Sequence, residues 1–205
     1  MRLFVGIPLG AETAGELSAL VARLRVSAAG LRWSASESWH ITLQFLGNAT
    51  PEQLQCLTTR LADVRSAPVL IELGELGSFE RTGVFFADVA VTPGLAALQE
   101  RVVAATSHCG FVAEPRPFHA HITLARRAGN RDQGSGIRKT ATEGPRERES
   151  QHSTAAPRGL RDLMAKAGAC RFSQFAAHKF LLYESHLSPQ GSRYEVRARF
   201  PLTTS

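Results

Sequence analysis

The sequence lacks any long hydrophobic run. No apolar stretch among its 205 residues approaches the roughly 20 that a membrane-spanning helix needs. The apolar patch near the start is too short for the core of a signal peptide, and no convincing cleavage site follows it. With 43% hydrophobic and 20% charged residues, the composition is typical of one compact globular domain or two small lobes. We therefore expect a cytoplasmic protein with no membrane association.

Cysteine is also scarce. Cys56, Cys109 and Cys170 are odd in number, lie far apart and form no CxxC pair. This spacing favours neither a disulfide framework nor a thiolate zinc site. We expect three unpaired thiols that are buried or inert.

The net charge of +6 is concentrated in one segment. Residues 126–161 contain nine Lys and Arg against four Asp and Glu, a net charge of +5. Such an excess is either a solvated surface or a contact for phosphate groups. Residues 128–157 contain one large aliphatic side chain, Ile137, and no aromatic. They cannot bury enough apolar surface to order themselves, so we predict a flexible polar loop at about 129–157.

Hydrophobic periodicity predicts a mixture of strands and helices. We expect strands at about 2–7, 39–46, 69–76, 84–90, 119–125, 173–184 and 193–200, with a hairpin turn at 188–191. Helices are expected at about 11–26, from Pro51, from Pro93 to near Gly110, and at 159–167. Thr50 and Thr92 each precede a proline and should act as N-caps.

An internal repeat is the most informative feature. The tetrapeptide His-Ile-Thr-Leu occurs at His40 and again at His121, 81 residues later. The order strand, helix, motif strand, helix, strand is also read twice, from residue 2 and from about residue 84. Duplication explains this better than chance does. The predicted fold is α+β, with two similar lobes related by a pseudo-twofold axis.

Within each motif, residues two apart share one face of the strand. The histidine and the threonine should emerge together while Ile and Leu anchor the core. If the two faces oppose each other, two imidazoles and two hydroxyls converge on one cleft. The four candidate side chains are His40, Thr42, His121 and Thr123.

Such a site suits in-line displacement at phosphorus. One neutral imidazole can take a proton from the attacking oxygen while a protonated one gives a proton to the leaving oxygen. Unperturbed pKa values near 6.5 make both states accessible around neutral pH. The Thr hydroxyls can hydrogen-bond the non-bridging oxygens. No metal is required, although His119 and His121 share a face and leave an HxH metal pair as an alternative.

Phe45 and Arg126 occupy the same position in the two copies, five residues after each motif histidine. Strict alternation turns both away from the histidines, which favours core packing for Phe45. A bulge could turn either side chain towards the site. There Phe45 would stack on a base and Arg126 would neutralise phosphate. Arg126 is the stronger candidate, because an apolar core does not readily accept a guanidinium.

Taken together, these stretches resemble the 2H phosphoesterases, a family named for two His-x-Thr motifs. Within it, the sequence is similar to the bacterial and archaeal RNA 2′,3′-cyclic phosphodiesterases, also known as 2′-5′ RNA ligases. The matching stretches are residues 2–7, 39–47, 116–126 and 182–185, with Tyr194. Two departures are Ala120, where relatives often have Pro, and the long polar segment after Arg126.

The resemblance implies a single bilobal α+β domain over residues 1–205, with antiparallel sheets facing a central cleft and helices outside. It also implies metal-independent opening of a ribose 2′,3′-cyclic phosphate to a 2′-phosphate, with no cofactor. His40 would be the general acid towards the leaving 3′ oxygen, and His121 the general base for water. Thr42, Thr123, Arg126 and Phe45 would bind substrate. The two motifs are nearly identical, so the residues alone do not assign acid and base.

Three functions stay open at this stage. The first is a phosphodiesterase acting on the cyclic phosphate end of RNA or on a small cyclic nucleotide. The second is a noncatalytic RNA-binding module that uses the same cleft. The third is an end-joining enzyme that runs the ester chemistry in reverse; no KxDG or GxxxxGK[ST] motif is present, so it would not use ATP. In each case we expect a monomer.

Overall fold

The computed structural model describes residues 1–28, 30–127, 158–188 and 191–203. The predicted polar loop at 129–157 lies outside the described residues, as do the central residues of the predicted turn at 188–191. In the described part, no helix has the length and apolarity that crossing a membrane would require.

Ten strands, four α-helices and one turn of 3-10 helix at Ser36–Ser38 make up the regular structure of the described residues. The strands are β1 (Arg2–Pro8), β2 (Leu31–Trp33), β3 (His40–Asn48), β4 (Val69–Ile71), β5 (Leu73–Phe79), β6 (Val84–Val89), β7 (His121–Arg127), β8 (Phe175–Ala177), β9 (Lys179–Ser188) and β10 (Gly191–Pro201). The helices are α1 (Ala11–Arg25), α2 (Pro51–Ala62), α3 (Pro93–Ser107) and α4 (Arg158–Ala167).

Both predicted N-caps are confirmed. The Thr50 hydroxyl accepts a hydrogen bond from the Gln53 backbone N–H at 3.2 Å, and the Gln53 side chain accepts one from the Thr50 N–H at 3.1 Å. The Thr92 hydroxyl accepts from the Leu95 N–H at 3.2 Å. These bonds satisfy donors that the first turns of α2 and α3 leave without helical partners.

Two predicted strands are each divided in the structure. The strand expected at 69–76 becomes β4 and β5, and the one at 173–184 becomes β8 and β9. The short strands β4 and β8 pair with each other in a separate two-stranded sheet. The sequence pattern also missed β2, because its three residues are too few to show a period. It pairs with the second half of β7.

The remaining eight strands form one antiparallel sheet in the order β10-β9-β1-β3-β7-β6-β5, with β2 beside β7. Helices α1, α2, α3 and α4 all contribute side chains to the main core, which forms on one face of this sheet. The predicted α+β fold is confirmed. The two predicted lobes, however, do not correspond to the first and second halves of the sequence. The last strand of each repeat pairs with the first strand of the other, β5 with β6 and β9 with β1.

The expectation of three unpaired thiols is wrong for two of them. Cys56 on α2 and Cys109 just after α3 form a disulfide bond. Cys170 is a free thiol. Helices α2 and α3 pack side by side, and the Gln53 side chain donates to the Cys109 carbonyl at 3.2 Å. The two Cα atoms of the disulfide are therefore 5.8 Å apart despite a separation of 53 residues.

Replacing Cys56 with Ser should lower the free energy of unfolding by about 2 to 4 kcal/mol, because the disulfide closes a long loop in the unfolded chain. Urea denaturation without reductant measures the difference. Adding reductant should remove this difference in stability, because the wild type then also lacks the disulfide. Cys170→Ser is the matched control and should unfold as the wild type does. Equal stability of Cys56→Ser and the wild type without reductant would contradict the bond.

Candidate functional site

Strands β3 and β7 bring the two motif copies together. They meet in antiparallel register at Ile41 and Ile122, and both isoleucines are fully buried in the core. Residues on either side of this pair point to the opposite face of the sheet. The side chains there are His40, Thr42, His121 and Thr123. The register places each motif histidine beside the threonine of the other copy.

Both histidine rings are held in the same way. The Nδ1–H of His40 donates to the Ser38 carbonyl at 2.7 Å, and the Nδ1–H of His121 donates to the His119 carbonyl at 2.8 Å. A carbonyl oxygen can only accept, so in each ring Nδ1 carries a proton. In the neutral ring, Nε2 is then the basic nitrogen. Each ring therefore has one nitrogen for anchoring and one for proton transfer.

His40 is enclosed by aromatic rings. The centroid of Phe4 lies 4.5 Å from that of His40, Tyr194 lies at 5.0 Å and Tyr183 at 5.7 Å. Gly6 on β1 leaves space for this packing, because a Cβ there would lie 3.4 Å from His40 Cδ2 and 2.9 Å from the Ile41 carbonyl oxygen. Burial lowers the pKa of His40 to about 4, against the opposing effect of the Ser38 carbonyl.

Aromatic rings also lie beside His121. The ring of Phe79 lies 5.1 Å from that of His121, and Phe86 lies at 5.3 Å. Gly77 on β5 makes room for Phe86, since a Cβ there would lie 2.5 Å from that ring. Burial lowers the pKa of His121. The His119 carbonyl opposes this shift, the charges of His119 and Arg126 add to it, and the Asp88 charge opposes it.

Phe45 and Arg126 both face the cleft, because each motif strand contains a β-bulge. In β3 the pairing with β1 skips a residue after Thr42, and the adjacent residues Leu43 and Gln44 are both buried. In β7 the pairing with β6 skips a residue after Thr123, and the next two residues are again both buried. Each bulge reverses the alternation, so the residue five after the histidine returns to the histidine face.

The consequences of the bulges are visible in the surroundings of each side chain. Phe45 is 57% exposed, with its ring centroid 6.1 Å from that of Phe4. The charge of Arg126 lowers the pKa of both motif histidines, which places it near each of them. Both residues line a small pocket with Arg2, Phe4, Ser185, Ser192 and Tyr194. The packing of Phe45 in the core is therefore excluded.

His119, the other histidine of the alternative HxH metal pair, contacts a carboxylate. His119 Nε2 lies 2.9 Å from Asp88 Oδ1, and the rings of His119 and His121 are 5.8 Å apart. No group of three or more His, Cys, Asp or Glu side chains suited to a metal ion occurs within the described ranges.

Sequence reasoning missed several residues of the site. Phe4, Tyr183 and Tyr194 lie in the stretches that carry the resemblance, but nothing in their pattern showed that they surround His40. Asp88 lies on β6 and Phe79 on β5, and the sequence reveals neither the register of β6 with β7 nor that of β5 with β6. A larger cavity of about 410 Å³ lies elsewhere, between α1 and the segment after α4, and neither motif histidine lines it.

Comparison with protein families supports the resemblance. Residues 7–86 match the family model described as LigT-like phosphoesterase. The chain is 31% identical over 128 residues to the RNA 2′,3′-cyclic phosphodiesterase of Escherichia coli, covering 62% of this chain and 72% of that protein. The enzyme of the same name from Aeropyrum pernix is 34% identical over 120 residues, covering 55% and 68%.

A third relative of the same name, from Geobacillus stearothermophilus, is 30% identical over 97% of this chain. The chain spans 56% of that protein's length. Among solved structures, Escherichia coli LigT complexed with 3′-AMP matches with a TM-score of 0.71 and 25% identity, covering 99% and 98% of the two chains. Thermus thermophilus TT0787 matches with a TM-score of 0.68 and 26% identity, covering 98% of each.

The low pKa of His40 should make stability depend on pH. In the unfolded chain His40 titrates near 6.5, whereas in the folded chain it titrates at about 4. Between these values the unfolded chain binds more protons, so the folded state loses stability as the pH falls. Urea denaturation at pH 7 and pH 5 should show a smaller loss for His40→Gln than for the wild type. His178→Gln, at an exposed position, is the control and should behave as the wild type. An equal loss in His40→Gln would argue against a buried neutral imidazole.

Proposed function

The chain belongs to the LigT-like phosphoesterase family, and from this premise we propose that it is a metal-independent RNA 2′,3′-cyclic phosphodiesterase. It opens a ribose 2′,3′-cyclic phosphate to a 2′-phosphate and a free 3′ hydroxyl. The observation that carries the proposal is the pair of identically anchored imidazoles on either side of the Ile41–Ile122 pair. Two such groups can act as acid and base in one displacement.

In this mechanism His121 is the general base. Its Nε2 takes a proton from water as the water oxygen forms a bond to phosphorus. His40 is the general acid, and its Nε2 gives a proton to the 3′ oxygen as the bond between that oxygen and phosphorus breaks. After turnover His121 is protonated and His40 is neutral, so proton exchange with solvent restores the starting state.

Thr42 and Thr123 are proposed to hold the phosphoryl group. Their hydroxyls lie on the same cleft face as the histidines and can donate to the two non-bridging oxygens. Arg126 adds a positive charge near both histidines. The negative charge that develops on the phosphoryl oxygens is thereby stabilised without a metal ion.

Substrate binding also favours the protonated form of His40 that the mechanism needs. In the empty site, burial keeps His40 largely neutral at pH 7, because its pKa is about 4. A cyclic phosphate brings a negative charge beside the ring, and an opposite charge at short range favours the protonated imidazole. Binding therefore raises the pKa of His40 and prepares it to act as the acid.

Phe45 is proposed as a platform for the nucleobase. It is an exposed aromatic side chain at the edge of the small pocket that also contains Tyr194 and Arg126. Aromatic stacking accepts any base because every base has a π face. This arrangement is consistent with a substrate chosen by its cyclic phosphate rather than by its base.

The cytoplasmic location and the monomeric state remain predictions. The disulfide between Cys56 and Cys109 bears on the location, since disulfides persist mainly in oxidising compartments. Intracellular proteins of hyperthermophiles are the known exception. A cytoplasmic location therefore requires conditions in which this bond stays oxidised.

Single replacement of His40 or His121 with Ala should reduce turnover by about 10² to 10⁴-fold, because each performs one of the two proton transfers. The assay follows hydrolysis of a 2′,3′-cyclic nucleotide in EDTA and separates the 2′-phosphate from the 3′-phosphate product. His178→Ala is the control. Near-wild-type turnover by either variant would exclude the two-histidine mechanism. Loss of activity in EDTA with recovery in Zn²⁺ would indicate a metal hydroxide, and tight RNA binding without turnover would indicate a binding module.

Replacing Phe45 with Leu should raise KM by about 5- to 150-fold, the range expected for loss of one stacked base, while leaving kcat nearly unchanged. The side chain touches the nucleobase and not the reacting atoms. Leu70→Ala is a suitable control, since this exposed residue lies on β4 in the separate two-stranded sheet. A fall in kcat at constant KM would instead place Phe45 at the phosphate.

A further inference from the structure

The two halves of the site also differ at the start of each motif strand. In the pairing of β1 with β3, Pro8 lies opposite His40. In the equivalent pairing of β6 with β7, Asp88 lies opposite His121. The carbonyl that anchors His40 belongs to Ser38, and the one that anchors His121 belongs to a second imidazole residue. A carboxylate and an imidazole are thus present beside one motif histidine and have no counterpart beside the other.

These two extra groups bind each other. His119 Nε2 donates to Asp88 Oδ1 at 2.9 Å, with about half of each side chain exposed. Gly74 on β5 flanks the carboxylate, since a Cβ there would lie 3.6 Å from Asp88 Oδ2. The Asp88 carboxylate on β6 therefore restrains the His119 side chain.

The same two aromatic rings lie beside the imidazoles of His119 and His121. Phe79 lies edge-on to His119 at 5.2 Å and to His121 at 5.1 Å, and Phe86 lies at 5.4 and 5.3 Å from the same two rings. His119 is not in β7, which begins at His121, so its backbone lacks the support of a strand ladder. Its contact with Asp88 restrains the residue whose carbonyl orients His121.

We propose that Asp88 and His119 form a positioning pair that distinguishes His121 from His40 and makes His121 the proton acceptor. The inference rests on the proposed function and extends it to two residues outside the His-x-Thr motifs. The pair acts in two ways. It orients His121 through the His119 carbonyl, and its carboxylate stabilises the imidazolium that forms when His121 takes a proton from water.

The charges that face His121 come from three strands. Arg126 lies on β7, His119 precedes that strand by two residues, His40 lies on β3 and Asp88 lies on β6. Of these groups, only Asp88 is negative. Burial lowers the pKa of His121, and the charges of His119 and Arg126 add to that shift. The His119 carbonyl opposes the shift and the Asp88 carboxylate opposes it to a smaller extent. His40 has no such carboxylate among the groups that act on it.

The decisive variant is Asp88→Asn. Its amide oxygen can still accept from His119 Nε2–H, so the contact is retained while the negative charge is lost. The imidazole pKa values are measured in the free protein by NMR titration of labelled histidine. The pKa of His121 should fall while that of His40 stays in place. We expect kcat to fall by about 10-fold, well short of the roughly 10⁴-fold effect of a buried triad carboxylate, because solvent screens Asp88.

A second pair of variants separates positioning from charge. His119→Leu removes the donor to Asp88 and should lower kcat with KM nearly unchanged, whereas His119→Gln keeps an N–H donor and should recover most of the loss. The control is Glu195→Gln, which alters a similarly exposed pair, His186 Nε2 to Glu195 Oε2 at 3.3 Å. Thermal unfolding verifies that each variant folds.

The outcomes distinguish this inference from the proposed function. An unchanged His121 pKa in Asp88→Asn would overturn the electrostatic role even in a protein without turnover, since the titration needs no substrate. A shift of the His40 pKa instead would overturn the assignment of His121 as acceptor. Equal kcat for His119→Leu and the wild type would overturn the positioning role. If the wild-type protein shows no phosphodiesterase activity, the proposed function is refuted. The titration result remains valid in that case.

Discussion

The site depends on one point of contact between the two half-sheets. Strands β3 and β7 are joined at the Ile41–Ile122 pair, with both side chains in the core. Each isoleucine is flanked by a histidine and a threonine, so burying the apolar pair forces the polar ones onto the other face. The hydrophobic effect thus assembles a polar site by acting on its apolar neighbours. Any slip of one residue would bury the histidines instead.

The rest of the sheet protects this contact. Because β5 pairs with β6 and β9 with β1, neither half of the chain can form its half-sheet alone. The duplicated units are therefore interlocked, and the junction of β3 with β7 is supported from both sides. The two bulges lie at the same offset within each motif copy, so the two copies share a local irregularity as well as the motif. Each bulge places one further side chain in the cleft, an aromatic ring in one copy and a guanidinium in the other.

The sequence predicted what depends on local pattern. Alternation within His-Ile-Thr-Leu gave the correct faces for His40 and His121, and proline after threonine gave the correct starts of α2 and α3. It could not decide the direction of Phe45, because a bulge arises from pairing with another strand. It missed the disulfide of Cys56, because packing of two helices, not spacing along the chain, brings the cysteines together. It also missed Asp88, because only the register of β6 with β7 places that carboxylate opposite His121.

A symmetric site is poorly suited to a reaction that needs an acid and a base in different proton states. Both imidazoles are anchored through Nδ1 and both have a pKa lowered by burial, so the shared features do not distinguish them. The difference must come from groups that the duplication did not preserve. His40 is closed in by aromatic rings and lies opposite Pro8 rather than a carboxylate, which favours a neutral ring in the empty site. In the proposed mechanism the bound phosphate raises the pKa of His40, so that the protonated ring is available as the acid. His121 faces Asp88 across the strands, and in the proposed mechanism this carboxylate favours His121 as the proton acceptor. The chemistry of the two halves therefore diverges through their neighbours while the motif itself stays the same.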